Sequence, residues 1–173
     1  MRVLIVLLVV SSYVFAEPTA DVDFKVTMGP TFTASAKGVK GKVVVQNGEY
    51  VAQNIVVDLK TLTSKMDLRD DHMKNKYLEV DKYPEAVLVT GKGKDGKGVG
   101  KIKIRGVEKE IKGTYKALND KEVEAKFDLS LADFNIKASY KGIGVKDTVN
   151  LRVVVPIERS PAAAPKAVVK PKK

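Results

Sequence analysis

Cysteine and tryptophan are absent from the 173 residues, histidine occurs once, and aromatic residues make up only 6% of the chain. Without cysteine there is no disulfide framework, thiolate zinc site, iron–sulfur cluster, cysteine nucleophile or lipid anchor on an N-terminal cysteine. A single histidine, His72, excludes multi-histidine metal centres and gives histidine-based catalysis little footing. The expectation is therefore a protein that is not an enzyme and needs no metal or cofactor. What the chain has is 44% apolar residues and 31 Lys+Arg against 21 Asp+Glu, a formal charge of +10. That length and composition suit one domain with a core large enough to need no staples.

Both ends separate from the middle. Arg2, the unbroken apolar run Val3–Val10 and Val14-Phe15-Ala16 read as a secretory signal over residues 1–16. The run is too short to span a bilayer and lacks the alternation of a half-buried strand. Cleavage after Ala16 leaves 173 − 16 = 157 residues, with a periplasmic or secreted destination expected. Residues 159–173 form a Pro/Lys/Ala-rich basic tail whose prolines block both helix and ladder. Each tail lysine would add about 1 kcal/mol at an anionic lipid surface, although short basic runs are more often merely solvated. Arg2 and the four tail lysines carry five of the ten net charges, so the folded part is moderately basic. No nucleic-acid partner is expected.

Between these ends the dominant period is two. Val22, Phe24 and Val26 alternate with charged residues, and Val39, Gly41, Val43 and Val45 alternate with Lys40, Lys42 and Val44 before the hairpin signal Asn47-Gly48. Ile55, Val57 and Leu59 follow, then Ile102 and Ile104, and Ile111, Gly113 and Tyr115 after a turn near Gly106. Val123, Ala125, Phe127, Leu129 and Leu131 give the clearest case, and Val149, Leu151, Val153 and Val155 the last. One apolar and one charged face per strand predicts an all-β antiparallel sandwich or barrel. Two stretches break the rhythm. Leu59 to Tyr83 reads as a long loop with one or two helical turns ending before Pro84, and 133–146 is irregular. The run Gly91-Lys-Gly-Lys-Asp-Gly-Lys-Gly98 reads as a flexible hairpin end.

Several segments then occur in a telling order: Asp58-Leu-Lys-Thr-Leu-Thr63, Leu68-Arg-Asp-Asp-His-Met73 and Tyr77-Leu-Glu-Val-Asp-Lys-Tyr-Pro84 come first. Lys101-Ile-Lys-Ile-Arg-Gly-Val107, Phe134-Asn-Ile136 and Gly144-Val-Lys-Asp-Thr-Val149 follow. Together they resemble the bacterial YceI-like polyisoprenoid-binding proteins over roughly residues 20–158. Two departures are Ala86-Val-Leu-Val, where the family usually places an aromatic, and Ala132-Asp133, where a basic residue usually precedes the aspartate. The resemblance implies an exported, lipocalin-like antiparallel β-barrel of about eight strands over 17–158, with a short helical segment near 66–80. It also implies an isoprenoid, quinone-like or fatty-acyl lipid in the lumen, a carrier role, and a homodimer as one expected state.

The inward faces supply the candidate ligand-binding residues. Phe24, Val26 and Val43 stand on the early strands, with Ile55 and Val57 next. Ile102, Ile104 and Tyr115 lie in the middle, and Phe127, Leu129, Leu131 and Phe134 follow. Leu151 and Val153 come from the last strand, while Leu62, Met66, Leu68, Met73 and Leu78 are candidates for the mouth. A packed aliphatic core has the same composition. The alternative reading is thus a non-catalytic structural or interaction barrel, tethered to anionic surfaces by its tail. His72 reads as a loop strut or a headgroup contact, Arg69 and Asp70 as an ion pair or helix cap, and Arg105 as a turn residue. Asp58 and Asp147 have no evident partner. N-terminal sequencing of the exported protein should return Glu17 as its first residue; retention of residues 1–16 would contradict the leader reading.

Overall fold

Three two-residue turns set the rhythm of the sheet. Asn47-Gly48, Asp95-Gly96 and Arg105-Gly106 each combine a non-glycine residue at φ 48–52° with a glycine at φ 77–79°. Positive φ at both central positions is the hairpin geometry whose twist matches that of the flanking strands. A computed structural model of the chain describes residues 18–140 and 143–159. The expected leader, and the tail from residue 160 onward, lie outside the described residues.

In chain order the strands are β1 (Thr19–Phe24), β2 (Phe32–Lys37), β3 (Val43–Gln46), β4 (Glu49–Asp58), β5 (Glu85–Lys94) and β6 (Lys97–Ile104). They continue with β7 (Val107–Ala117), β8 (Glu122–Ser130), the short pair β9 (Ser139–Tyr140) and β10 (Ile143–Gly144), and β11 (Thr148–Arg159). Between β4 and β5 the chain makes a 3₁₀ turn (Leu59–Thr61), the helix α1 (Asp67–Asp71) and π-helical turns over His72–Leu78. The irregular stretch and the helical segment expected from sequence are both present.

Strands β3 to β8 form an antiparallel run, and β11 closes it into a barrel. One edge of β11 pairs antiparallel with β8 from Thr148↔Ser130 to Pro156↔Glu122. Its other edge pairs antiparallel with β1 over Asn150–Val153, then parallel with β3 over Ile157–Arg159. The closed ring therefore has seven strands and one parallel joint, where the family resemblance implies about eight and the alternation antiparallel pairing throughout. The difference has a physical source. The hairpin β1–β2 sits beside β11 at one end only, with Ser35 bridging to Thr63, so the wall is wider there than at the β3 end. Barrel diameter grows with strand number, and the ring flares toward the helical end.

Pro156 fits this arrangement. Ile157 N–H donates to the Lys121 carbonyl on the β8 side, so the missing donor of Pro156 falls on the opposite edge, between the β1 and β3 pairings. No ladder bond is lost there. On the outer face Arg152 of β11 reaches Asp21 of β1 at 3.0 Å and Glu124 of β8 at 2.5 Å, a charged tie across three strands.

Two features depart from the sequence reading. The glycine run at 91–98 is a hairpin end, as read, but most of it is ladder: Gly91 pairs with Gly100, Gly93 with Gly98 and Lys94 with Lys97. Only Asp95 and Gly96 turn, and the Tyr115 ring occupies the space a side chain at Gly93 would need. The second is a wedge between β7 and β8. They pair only from Gly113↔Phe127 to Ala117↔Val123, leaving Val107–Lys112 outside the ladder. A 3₁₀ turn at Ala132–Phe134 fills the wedge, with Phe134 1% exposed and Lys109 3.8 Å from Asp133.

At the apex of that wedge a Cβ on Gly113 would lie 2.3 Å from the Lys126 carbonyl oxygen and 2.8 Å from the Phe127 Cβ. Gly113→Ala should cost about 1–3 kcal/mol in urea unfolding, because backbone rather than a flexible side chain must yield. An unchanged midpoint would show that the β7–β8 seam opens freely.

Candidate functional site

The inward strand residues enclose a cavity of about 510 Å³, within the roughly 300–1,000 Å³ usual for small-molecule sites. All nineteen sequence candidates line its wall, most of them brought there by the period-two alternation of the strands. Phe24, Val43, Ile55, Val57, Ile102, Ile104, Tyr115, Phe127, Leu129, Leu151 and Val153 line it from the strands, Val26 and Leu131 from just beyond the ends of β1 and β8, and Phe134 from the wedge. Leu62, Met66, Leu68, Met73 and Leu78 line it from the β4–β5 segment.

Two buried clusters bound this space. Val43, Ala52, Ile55, Leu62, Met73, Val123 and Val155 belong to one; Ile102, Ile104, Leu129, Leu131, Phe134, Ile136 and Val149 belong to the other. Between them, Val22, Phe24, Phe32, Tyr50, Val57, Leu88, Tyr115, Phe127, Leu151 and Val153 point inward yet are only half-buried. A close-packed interior would seal such residues from solvent. This distinguishes the lumen from an aliphatic core of the same composition.

Tyr50 and Tyr115, with ring centroids 4.6 Å apart, fill the narrow end. Along β5, β6 and β7 the wall is bare backbone at Gly91, Gly93, Gly98, Gly100 and Gly113, with outward-facing Val99 and Thr114 beside it. The mouth lies at the flared end, where the wall residues Met66 and Leu68 are 52% and 68% exposed and His72 is exposed too. Opposite them Phe24 stacks on Phe32 at 5.0 Å between centroids.

The polar residues singled out in the sequence divide by partner. Asp70 does not pair with Arg69; it accepts from the Ser64 amide at 2.7 Å, the Ser64 hydroxyl at 2.6 Å and the Thr63 hydroxyl at 2.5 Å. Burial works against its charged form, but the bonds from Ser64 and Thr63, helped by Lys74, outweigh it and hold the carboxyl below its ordinary value. Arg69 instead lies over the Phe32 ring, 4.0 Å from its centroid. Arg105 is a turn residue, as read, and also a brace. It donates to the Asn135 carbonyl at 2.6 Å and to Glu79, which ends the π-helical turns in a left-handed conformation. The Arg105 guanidinium lowers the Glu79 pKa by hydrogen bond and charge. Asp58 and Asp147, without evident partners in the sequence, have local ones: Lys60 N–H at 2.9 Å for the first, Ser130 Oγ and Ala132 N–H for the second.

Sequence reasoning missed Phe32, Tyr50 and Leu88 on the wall. Leu88 stands in the Ala86-Val-Leu-Val stretch, whose continuous apolar run hides an inward face. Phe32 opens β2, whose inward positions Ala34 and Ala36 are too small to announce a strand.

The sequence profile of the YceI-like domain matches residues 13–157. Among solved structures, the chain resembles a polyisoprenoid binding domain from Saccharophagus degradans implicated in plant cell wall breakdown. Identity is 15%, TM-score 0.56, and coverage 79% of this chain and 91% of that one. It also resembles a mutant of the CJ YCEI protein with a monobromobimane guest, at 17% identity and TM-score 0.60, covering 90% of this chain and 97% of that one. Likenesses at this identity establish the fold. No curated protein matches the sequence.

Asp70→Ala should lower stability by about 1 kcal/mol, the usual net worth of an intramolecular hydrogen bond. Because the folded pKa is depressed, the advantage of the wild type is complete above the ordinary aspartate value of about 3.9 and fades as pH falls through the lower folded value. Urea titrations from neutral to acid pH should show the two proteins converging. A constant gap would mean the carboxylate charge is irrelevant.

Proposed function

The chain belongs to the YceI-like domain family, and from that membership and the lumen we propose that it binds a long isoprenoid-type or fatty-acyl amphiphile inside the barrel. One observation carries the reading. Inward-facing valines, leucines and aromatic rings remain only partly buried around about 510 Å³ of space that opens beside Met66 and Leu68. An apolar chain entering such a space gains about 0.8 kcal/mol for each CH₂ removed from water, and needs no reacting group. His72 is the sole histidine of the wall, and Asp70 and Asp71 near the mouth are engaged in local bonds. A periplasmic carrier or store is the role that fits, supported by the apolar run at Val3–Val10 and by a ligand class that water does not dissolve.

Native mass spectrometry and lipid extraction of protein purified from its own host test this directly. The expected result is a bound species with a long apolar chain. A protein of bare polypeptide mass, unable to take up added prenol or fatty acid, would overturn it. Ala125 faces the lumen on β8, and Ala125→Phe should displace about three methylenes of a bound chain. At the CH₂ value above, that weakens binding about fiftyfold while leaving the fold intact.

A further inference from the structure

The charges of the barrel are unevenly spread. Residues 85–117, which carry β5, β6 and β7, hold nine Lys/Arg against four Asp/Glu, whereas β1 and β8 together hold one Lys against five Asp/Glu. Near the Asp95-Gly96 turn the outward positions of the three strands fall into two cross-strand rows. Lys92 pairs with Val99 and Val99 with Lys112; in the next row Lys94 pairs with Lys97 and Lys97 with Thr114. All six are exposed. Lys92, Lys97 and Lys112 take part in none of the ion pairs among the described residues, and Lys94 reaches Glu49 only at 3.8 Å, between exposed groups. Val99 stands amid these ammonium groups 58% exposed. Among the described residues it is the only large apolar side chain on a strand to be so exposed. Neither feature stabilises the barrel: like charges directly opposite weaken a ladder, and the valine methyls stay in water.

We propose that this outer face of β5–β7 docks on an anionic lipid bilayer, with Val99 entering the interface inside a ring of lysines. Charge complementarity carries the choice of partner. Lysine is a compact, hydrated charge on a flexible stem, suited to a diffuse layer of headgroups; arginine, the residue of fixed oxyanion geometry, is absent from both rows. The lysine stems can lie along the apolar boundary while their ammonium groups stay among the phosphates. The patch belongs to the narrow end of the barrel, where Tyr115 N–H donates to the Gly96 carbonyl at 3.0 Å. Arg159, paired with Val45 beside the Asn47-Gly48 turn, lies at that end too, so the sequence continues from there into the four lysines of residues 160–173. The mouth, at the flared end, stays uncovered, and docking does not depend on what the lumen holds.

The test measures sedimentation of the full chain with vesicles of phosphatidylcholine, alone or mixed with phosphatidylglycerol. Wild type should bind the mixed vesicles and not the neutral ones, and should be released at about 1 M salt, where the screening length is about 3 Å. Replacing three lysines of the face together, Lys92→Gln, Lys97→Gln and Lys112→Gln, should weaken binding about a hundredfold. Removing the same charge at Lys37, Lys40 and Lys60, exposed lysines elsewhere on the barrel, should weaken it at most about fivefold. Because the chain has no tryptophan, Val99→Trp supplies a single reporter. Its emission should shift to the blue on mixed vesicles and be quenched by brominated acyl chains. Equal losses in the two lysine variants would assign binding to net charge or to the tail and overturn the face. Unshifted emission from vesicle-bound Val99→Trp would leave an ionic contact open to any polyanion and overturn the bilayer as partner, as would failure of wild type to bind mixed vesicles. Wild type and the two lysine variants decide by themselves should Val99→Trp fold poorly.

Discussion

Twelve residues of β11 hold three neighbours, and the lumen exists only while they do. An open seven-stranded sheet would expose an apolar face to water and two unpaired edges to other chains. Joining β8 to β3 through one strand removes both problems. Placing β1 on the same edge of β11 as β3, but farther toward the helical end, makes the ring wider there. The taper decides the rest. Tyr50 and Tyr115 suffice to fill the narrow end, whereas the flared end is bounded by the helical segment and the Phe134 turn.

Much of this was legible in the amino-acid order because the two faces of each strand differ so sharply. Val123 to Leu131 and Val149 to Val155 announce their own registers, and Asn47-Gly48 announces its turn. Alternation also assigned the lumen face of the strands, which is why the wall residues chosen on them surround one cavity. Several of the failures originate in small residues. Ala34 and Ala36 on β2, and the glycines of β5 and β6, carry strand geometry without the side chains that signal it. Glycine there serves a neighbour: the absent side chain at Gly93 is the space Tyr115 takes.

Other features depend on contacts that no local pattern encodes. Arg105 meets Glu79 across 26 residues, and that contact secures the end of the π-helical turns against the β6–β7 hairpin. Arg69 and Asp70 are adjacent and of opposite charge, so a pair was a natural reading. On a helical turn, however, consecutive residues point roughly a hundred degrees apart. One turns in to the mouth and Phe32, the other back to Ser64. The partial ladder between β7 and β8 was equally hidden, since both strands alternate well past the point where their pairing stops.

The closure by β11 also has a kinetic side. The contact that seals the ring joins residues 157–159 to 43–45, a separation of more than a hundred residues along the chain. Chains dominated by such contacts fold slowly, on the order of milliseconds to seconds. Until the last strand docks, β3 to β8 form an unsealed trough. A molecule that must later thread past Leu68 and Arg69 could, during that interval, be wrapped from the side. Ligand present while the chain folds and ligand supplied afterwards would then reach the same complex by different routes, and at different rates.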